Sequence, residues 1–595
     1  MTYQINFEPI GHHVLYREGA TIFETAREAG ILLTSSCGGR RTCSQCKVRI
    51  LDGDTSPIDE SERAYLSEEE IISGLRLACA TRVLSNLKVY IPQTSLMVAQ
   101  RLELSARELA LSLEPVVAAY ELQLKETTLK EPLADWEKLC EGLKEGYGLG
   151  GLRPDLSLLR SLPSILRACD WAVVVAERDG EVIDVRPHGQ RLLGMAIDLG
   201  TTKIAAYLVD LNTGESLASL GTINPQIAYG EDVMSRITYA MEGSSQELGE
   251  SVIRTINQLI KEASGNPEEV IEISLAGNTA MHHLMLGLPV RQLGRAPYLP
   301  TVRRSLDIKA RDLGLQTAHG AYVYFLPNVA GFIGGDHIAV LLATGLYETN
   351  KTAIAIDIGT NTEISLATRG TISSLSCASG PAFEGAGIKH GMRATNGAIE
   401  GVEIGNDGNY LKVIGNVSPV GICGSGILDV VYQLRKQCII DQRGRLQDHS
   451  LVRQGSGGHE FALASGNTTG TGQDIVITQR DIETIQLAKA AIRTGINVLL
   501  SGTGTKENEI DEVIIAGAFG SYIDIASAIG IGMFPSLPLA RFHQVGNAAG
   551  LGAKLALISR KNRTTAEEIA SRIRYIELTT HPKFKHEFSL SLRLP

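Results

Sequence analysis

Two segments of this chain obey one rule. Met195-Ala196-Ile197-Asp198-Leu199-Gly200-Thr201-Thr202-Lys203 runs from apolar residues into an aspartate, a glycine and two threonines, and Ile204 to Val209 leads away. Ala353 to Ile356, then Asp357-Ile358-Gly359-Thr360-Asn361-Thr362-Glu363, then Ile364-Ser365-Leu366 repeat the pattern. Each reads as strand, tight glycine turn, strand. The glycine lets backbone approach a phosphate, the hydroxyls and amide offer donors, and the aspartate can hold a Mg²⁺-bound water. One such turn is weak evidence, since a plain hairpin has the same look. Duplication implies two similar halves closing on one nucleotide. The turns therefore nominate Asp198 and Asp357 as catalytic carboxylates. They nominate Gly200, Thr201, Thr202, Lys203, Gly359, Thr360, Asn361 and Thr362 as nucleotide-binding residues. The alternative is that the upstream turn is a relic hairpin of the duplication.

Length and charge narrow the rest. A chain of 595 residues holds several domains. A net charge of −10 offers no basic field to nucleic acid. No apolar run reaches the length of a membrane span, and Met1 to Arg17 does not read as a signal peptide. The nine cysteines are odd in number and crowd the front of the chain, which argues against a disulfide framework. An intracellular, reducing location, the cytoplasm, is the expectation.

Residues 1–93 form the first expected unit. Tyr3 to Phe7 and His13 to Tyr16 read as a hairpin, and Thr21 with Glu24 as the capping box of a short helix. Cys37-Gly38-Gly39-Arg40-Arg41-Thr42-Cys43-Ser44-Gln45-Cys46 follows, and Cys79 lies further on. Cys37, Cys43, Cys46 and Cys79 in a C-x5-C-x2-C…C arrangement suit a [2Fe–2S] cluster, with a glycine loop able to aim backbone N–H groups at the sulfurs. The alternatives are structural zinc, whose ligands usually come as two C-x2-C pairs, or buried free thiols. The unit resembles a ferredoxin domain. Its first gap is one residue longer than the plant-type spacing, so it is more similar to the adrenodoxin-like branch. The acids from Asp52 to Glu70 read as a solvated face, with a redox docking surface as the sharper alternative.

Beyond residue 93 the texture changes. Charged, leucine-spaced sequence predicts a linker helix over 94–125. A small domain follows over 126–190, ending in a strand pair that turns at Arg178-Asp179-Gly180. Cys140 and Cys169 read as buried thiols. From 191 to 595 strands and helices alternate. The neighbours His282 and His283 point in different directions on a helix and do not read as a metal pair. Asp336 opens a helix, either as a cap or as a cleft carboxylate. Ser379 to Gly387 places Glu384 in a tight loop of small residues. Ala516-Gly517-Ala518-Phe519-Gly520-Ser521-Tyr522 follows a strand, and Gly517 and Gly520 there could let backbone lie against an adenine ring. No P-loop or Rossmann motif stands in the required context.

Two phosphate turns and a late glycine turn resemble the acetate and sugar kinase/Hsp70/actin superfamily. With the cysteine pattern in front, the whole chain resembles the reductive activators of corrinoid proteins. The motifs Asp198-Leu199-Gly200-Thr201-Thr202, Pro327-Asn328-Val329-Ala330-Gly331, Asp357 to Glu363 and Ala516 to Gly520 occur in family order. The resemblance implies an α/β multidomain chain: an N-terminal β-grasp [2Fe–2S] ferredoxin, a linker helix, a small middle domain and a C-terminal duplicated actin/Hsp70-like ATPase domain. It implies a [2Fe–2S] cluster, ATP and Mg²⁺ as cofactors. It implies ATP-dependent reduction of inactive Co(II) cobalamin to Co(I). The partner would be a corrinoid iron–sulfur protein or the corrinoid subunit of a methyltransferase system, with an upstream electron donor and a homodimer left open. Some relatives carry C-terminal [4Fe–4S] clusters, and this chain has no cysteine after Cys438. Two other classes stay open: a metabolite kinase with a regulatory ferredoxin domain, and a nucleotide-binding electron carrier or sensor.

Overall fold

The computed structural model describes residues 2–8, 12–17, 19–35, 37–92, 95, 113–130, 132–243, 245–405, 408–455, 457–517 and 519–595. The N-terminal sheet runs in the order His12–Arg17, Thr2–Glu8, Leu87–Tyr90, Lys47–Asp52, Leu75–Leu77. Its first and last long strands are parallel neighbours, which requires the intervening chain to cross over. Helix Ile22–Glu28 makes that crossing and carries the expected Thr21–Glu24 capping box. Phe7, Phe23, Val48, Leu77 and Val89 fill the space beneath it. This is the β-grasp arrangement.

Part of the acidic run is structural. Asp59 and Glu70 take part in capping boxes. Glu62 is fully buried and binds the Arg76 guanidinium through both oxygens at 2.8 Å, the Leu77 N–H at 3.1 Å and the Thr81 hydroxyl at 3.2 Å. Asp52, Asp54, Glu60, Glu68 and Glu69 remain exposed.

The expected linker helix is corrected over part of its length. Residues 96–112 lie outside the described residues, but Ala118–Gln123 is a strand. It pairs antiparallel with Ala172–Arg178, whose centre is fully buried valine and alanine. Pairing with that strand overrides the helical tendency of an isolated segment. The small sheet runs Ala118–Gln123, Ala172–Arg178, Glu181–Pro187, Arg153–Pro154, with helices Asp135–Tyr147 and Leu156–Ala168 packed against it. Its hairpin turns at Asp179 and Gly180, both at positive φ. Arg178 locks this sheet to the next: its Nε donates to the fully buried Glu272 at 3.0 Å, and Arg563 donates to the same carboxylate at 2.7 Å.

The rest of the chain is a duplicated α/β unit. In the upstream half Ser216–Ile223, Lys203–Asp210 and Leu193–Leu199 form an antiparallel meander, extended by the parallel strands Val270–Gly277 and Tyr322–Phe325. In the downstream half Thr371–Cys377, Thr362–Thr368 and Ala353–Ile358 form the same meander, extended by Glu512–Ala516 and Phe542–Gly546. Each half has a long helix crossing back before its parallel strand, Ser245–Ser264 and Gln479–Thr503. The first buries Leu248, Val252, Ile256, Leu259 and Ile260, one face at helical spacing. Each such side chain contributes about 1.5–3 kcal/mol on full burial. Helix Ala548–Ile558 packs so closely on Gly335–Thr344 that a Cβ at Gly552 would lie 2.0 Å from the Ala339 carbonyl oxygen. Among the described residues no helix is long and apolar enough to cross a membrane.

The Glu62–Arg76 pair gives a first prediction. Glu62→Ala strands a buried guanidinium and the Leu77 N–H, which costs about 3–5 kcal/mol. Denaturant unfolding of the purified protein, followed at the cluster's visible absorbance, is expected to shift to lower midpoint. An unchanged midpoint would contradict the role given to this pair.

Candidate functional site: a paired-thiol loop and a two-sided cleft

The four cysteines converge. Residues 37–46 form a loop with positive φ at Gly38, Gly39, Arg41 and Ser44, a run of left-handed turns that wraps the chain inward. Cys79 arrives from the far side, after strand Leu75–Leu77. The sulfurs gather in contacting pairs, Cys37 with Cys43 and Cys46 with Cys79, and each pair feels the charge of the other. The Ser35 hydroxyl lies 3.7 Å from Cys37 Sγ and 3.8 Å from Cys43 Sγ. The Cys43 contact, aided by Thr42 and Ser35, pulls the Cys37 thiol down to about 4, so it is readily a thiolate. The Cys79 contact and burial push the Cys46 thiol up, so a cluster must displace its proton. Two sulfur pairs side by side suit two irons with two cysteine ligands each. Among the described residues no three or more His, Cys, Asp or Glu side chains are set to hold a single metal ion. Cys169 sits apart, at the end of helix Leu156–Ala168.

The two phosphate turns meet. The Thr202 and Thr360 hydroxyls, one from each half, are 3.1 Å apart. Both donate to Glu384 Oε1, at 3.3 and 2.8 Å. The upstream turn is fixed from below: Asn224 donates to the Gly200 carbonyl, Arg236 to the Thr201 carbonyl, and Asn278 to the Thr201 hydroxyl. In the downstream turn the Gly359 N–H donates to the Asn361 carbonyl at 3.0 Å. Thr360 faces the cleft. Thr362 does not: it is fully buried, with its hydroxyl paired to Ser379 at 2.8 Å. Gly517 lies on the downstream turn, where a Cβ would fall 2.4 Å from the Ile358 carbonyl oxygen and 3.0 Å from Asp357 Oδ1. Gly520 packs against Ile515 and Ala516, and its carbonyl accepts from Gln544. These glycines therefore press strand to turn, and Ala518 lies outside the described residues.

Carboxylates crowd the cleft floor. Asp198 and Asp357 keep some solvent contact but are otherwise enclosed by protein. Burial, with the nearby charge of Asp336, pushes Asp198 up to about 7. Burial, Asp336 and Asp198 push Asp357 up to about 8. Asp336 itself rises to about 6 through burial, and burial with the charges of Asp336 and Asp357 raises the enclosed Glu363 well above the usual carboxylate range. Asp336 is no cap: Gly334 holds that position, and Asp336 Oδ1 accepts from the next N–H. It is a cleft carboxylate. Asn547 hydrogen-bonds Asp198 from the start of helix Ala548–Ile558.

Cationic groups line the other side. Lys203 is drawn down to about 8 by burial, with Glu384 and Arg393 as its charged neighbours. Arg393 Nη1 is buried with no hydrogen-bond partner in the protein. An orphaned guanidinium N–H beside a lysine and two hydroxyls fits a polyphosphate, and the carboxylates opposite fit a hydrated Mg²⁺. Arg393, Asn224, Asn278 and Arg236 went unseen in the sequence. Asn278 alone left a trace, as the polar residue before a helix. His282 and His283 are buried, and His283 is consumed by Thr279 and Thr301, a structural role.

Comparison with known proteins follows this geometry. A [2Fe–2S] iron–sulfur cluster binding domain model matches residues 5–84. Models for the linker region, the middle region and the C-terminal ASKHA domain of RACo match 106–191, 193–349 and 351–595. The corrinoid activation enzyme RamQ of Eubacterium limosum is 33% identical over 96% of this chain and 95% of its own. The chain belongs to the RACo family. A solved structure titled reductive activator for corrinoid, iron–sulfur protein matches with a TM-score of 0.73 and 36% identity, over 100% of this chain and 98% of that one. The [Co(II) methylated amine-specific corrinoid protein] reductase of Methanosarcina barkeri is 25% identical over 64% of this chain and 73% of its own. The family divides the chain differently from the sequence expectation. The small sheet read as a middle domain over 126–190 falls inside the RACo linker region, and the RACo middle region is the upstream half of the duplicated unit.

Two predictions come from this site. Cys46→Ala is expected to lose cluster iron and visible absorbance while Cys169→Ala keeps both; cluster loss in the Cys169 variant would overturn the ligand set. The second concerns pH. Asp198 and Asp357 are raised above their unfolded values, so protons stay bound in the native state between the ordinary carboxylate range and about 7 or 8. Native stability without metal therefore falls as pH rises through that window. Mg²⁺–nucleotide requires the ionised forms, so its affinity is expected to rise from pH 6 to 8 with proton release. Calorimetry in buffers of different ionisation enthalpy checks both, and pH-independent binding without proton release would refute it.

Proposed function

We propose that this chain reduces the cobalt of a corrinoid protein from Co(II) to Co(I), in a reaction that depends on ATP in the two-sided cleft. The observation that carries the reading is the union on one chain of two cysteine sulfur pairs and a duplicated phosphate turn with the unpartnered Nη1 of Arg393 beside it. Family membership over nearly the whole length supports it. A cluster held by Cys37, Cys43, Cys46 and Cys79 supplies single electrons, and one electron passed to Co(II) leaves Co(I). That transfer is uphill, because Co(II) cobalamin accepts electrons less readily than a ferredoxin gives them, so a second source of free energy must couple to it. A cleft that closes on nucleotide supplies it by binding one partner conformation better than another.

In this reading the chain's own groups divide the work. Thr202 and Thr360 now share Glu384 as acceptor, and the phosphates of a bound nucleotide replace it. Thr201, Gly200 and Gly359 bring backbone to the phosphates, while Asn361, Lys203 and Arg393 balance their charge. Asp198 and Asp357 hold the waters of Mg²⁺ from opposite halves. Gly517 and Gly520 keep the late strand close enough to the downstream turn for the two to move together. Thr362 braces that turn through Ser379. The protein partner is a corrinoid iron–sulfur protein or a methyltransferase's corrinoid subunit, and a separate protein reduces the cluster. A reducing, cytoplasmic setting, in which thiols outside the cluster stay reduced, belongs to the same reading.

The test is anaerobic. The cobalamin spectrum of a candidate corrinoid protein is followed with this protein, reductant, and with or without ATP. Co(I) is expected only with ATP. Asp198→Asn and Asp357→Asn, made separately, are expected to keep the [2Fe–2S] spectrum and to slow ATP-driven Co(I) formation by at least about a hundredfold, a larger loss than that in nucleotide affinity. Normal Co(I) formation by either variant would remove that side of the cleft from the mechanism.

A further inference from the structure

The cysteine loop does not face solvent alone. It sits on the upstream half of the cleft. Gly38 lies against the Tyr229–Gly230 backbone so tightly that a Cβ there would fall 2.3 Å from the Tyr229 carbonyl oxygen. Arg40 clamps the same contact, its Nε donating to the Cys37 carbonyl at 3.0 Å and its Nη2 to the Ser235 hydroxyl at 2.9 Å. Arg27, from the helix behind the loop, lies 4.6 Å over the Tyr229 ring. The seat is therefore Tyr229 to Ser235, the end of one turn and the start of helix Val233–Glu242.

Under the seat lies Arg236, fully buried. Its Nε donates to the Gly230 carbonyl at 2.8 Å and its Nη2 to the Thr201 carbonyl at 2.5 Å. Nη1 meets Gln226 Oε1 at 3.4 Å and Met281 Sδ at 3.2 Å. Among the described residues no carboxylate forms an ion pair with it, a costly way to bury a guanidinium. What that arrangement provides is a rigid planar fork that holds two distant carbonyls at once. One belongs to the upstream phosphate turn. The other belongs to the backbone on which Gly38, next to Cys37, rests.

We infer that Arg236 is a positioning residue that ties the upstream phosphate turn to the seat of the cysteine loop, so that nucleotide at Thr201 to Lys203 alters the packing of residues 37–46 around the cluster. This rests on the nucleotide and cluster reading given above. Gly230 makes the tie stiff: its φ is 156°, and a Cβ there would meet Ser235 Cβ at 2.5 Å, so the seat has little room to relax by itself. A shift of the Thr201 carbonyl is carried by the guanidinium plane to Gly230 and from there to Gly38. Ser235 carries the same shift to Arg40.

Hydrogen–deuterium exchange on the cluster-loaded, full-length protein, with and without Mg²⁺ and a non-hydrolysable ATP analogue, tests the tie without a corrinoid partner. In the native chain the analogue is expected to protect residues 198–203 and also to change exchange across 37–46 by about fivefold or more. Arg236→Lys keeps the charge but not the fork, and Ser235→Ala removes the Arg40 acceptor while leaving the loop's own sequence intact. In Arg236→Lys, protection at 198–203 is expected to persist while the response at 37–46 collapses, with iron content unchanged. In Ser235→Ala, which leaves the contact of Gly38 with Gly230 in place, the response is expected to fall only in part. Should Arg236→Lys fail to fold, Arg236→Gln takes its place. Protection at 198–203 with no response at 37–46 in the native chain, or an undiminished response in the folded Arg236 variant, overturns the inference and leaves the nucleotide reading intact. Absence of protection at 198–203 strikes the nucleotide reading itself and takes the inference with it.

Discussion

The structure turns on a set of like charges that the protein does not neutralise by itself. Asp198, Asp336, Asp357 and Glu363 approach one another at the floor of one cleft; burial raises all four, and neighbouring carboxylates add to it at Asp198, Asp357 and Glu363. Water is largely excluded, so such groups either hold protons or await a cation. Everything around them respects that condition. The cationic groups Lys203 and Arg393 stand with Glu384 on the phosphate side, not among the floor carboxylates. The floor thus has the chemistry that suits a hydrated divalent ion, and the rim the chemistry that suits an anion beside it.

That division explains the contact between the halves. Thr202 and Thr360 would have no reason to share an acceptor if each turn served its own half. Glu384 holds both hydroxyls as a phosphate oxygen would, which keeps the donors paired and aimed into the cleft. The same logic fixes the docking of the outer sheets. The small sheet is bound to the upstream half through Glu272, a buried carboxylate that two arginines satisfy. Removing either cation would leave the other to carry the desolvation alone, so the joint resists piecemeal change.

The sequence made the covalent pattern and the repetition legible, and it made the tertiary partners illegible. Two Asp-x-Gly-Thr turns and four cysteines at fixed spacing were readable because their chemistry is local: a turn and a thiol announce themselves in a few residues. The Thr21 capping box, the Asp179-Gly180 hairpin and the long helices followed from caps and periodicity for the same reason. The strand at 118–123 was misread because its partner lies about fifty residues downstream. Thr362 looked equivalent to Thr360 until the sheet placed its hydroxyl inward against Ser379. Gly517 and Gly520 looked like a nucleotide surface, whereas the close contact they permit is with the protein's own strand and turn. Arg393 and Arg236 carried no local signal at all, since an arginine becomes a phosphate partner or a buried fork only through what surrounds it.

Duplication also created an asymmetry that a single domain could not have. After the third strand of the upstream meander the chain inserts a short segment, Pro225 to Glu242, before its long helix. After the third strand of the downstream meander it inserts a much longer one, from Pro381 to Thr478, with small sheets of its own. The short insertion carries Tyr229, Ser235 and Arg236 and faces the cysteine loop. The long one carries Glu384 and Arg393 and faces Thr202, Lys203 and Thr360 of the two turns. The upstream turn meets both insertions, through Arg236 and through Glu384, whereas the downstream turn meets the long one. Two identical halves could close on a ligand but would have no separate face for an electron-carrying domain. Divergence of the insertions, with the strands and turns retained, gives one cleft two different neighbours, the cysteine loop through Tyr229 to Ser235 and the paired threonines through Glu384.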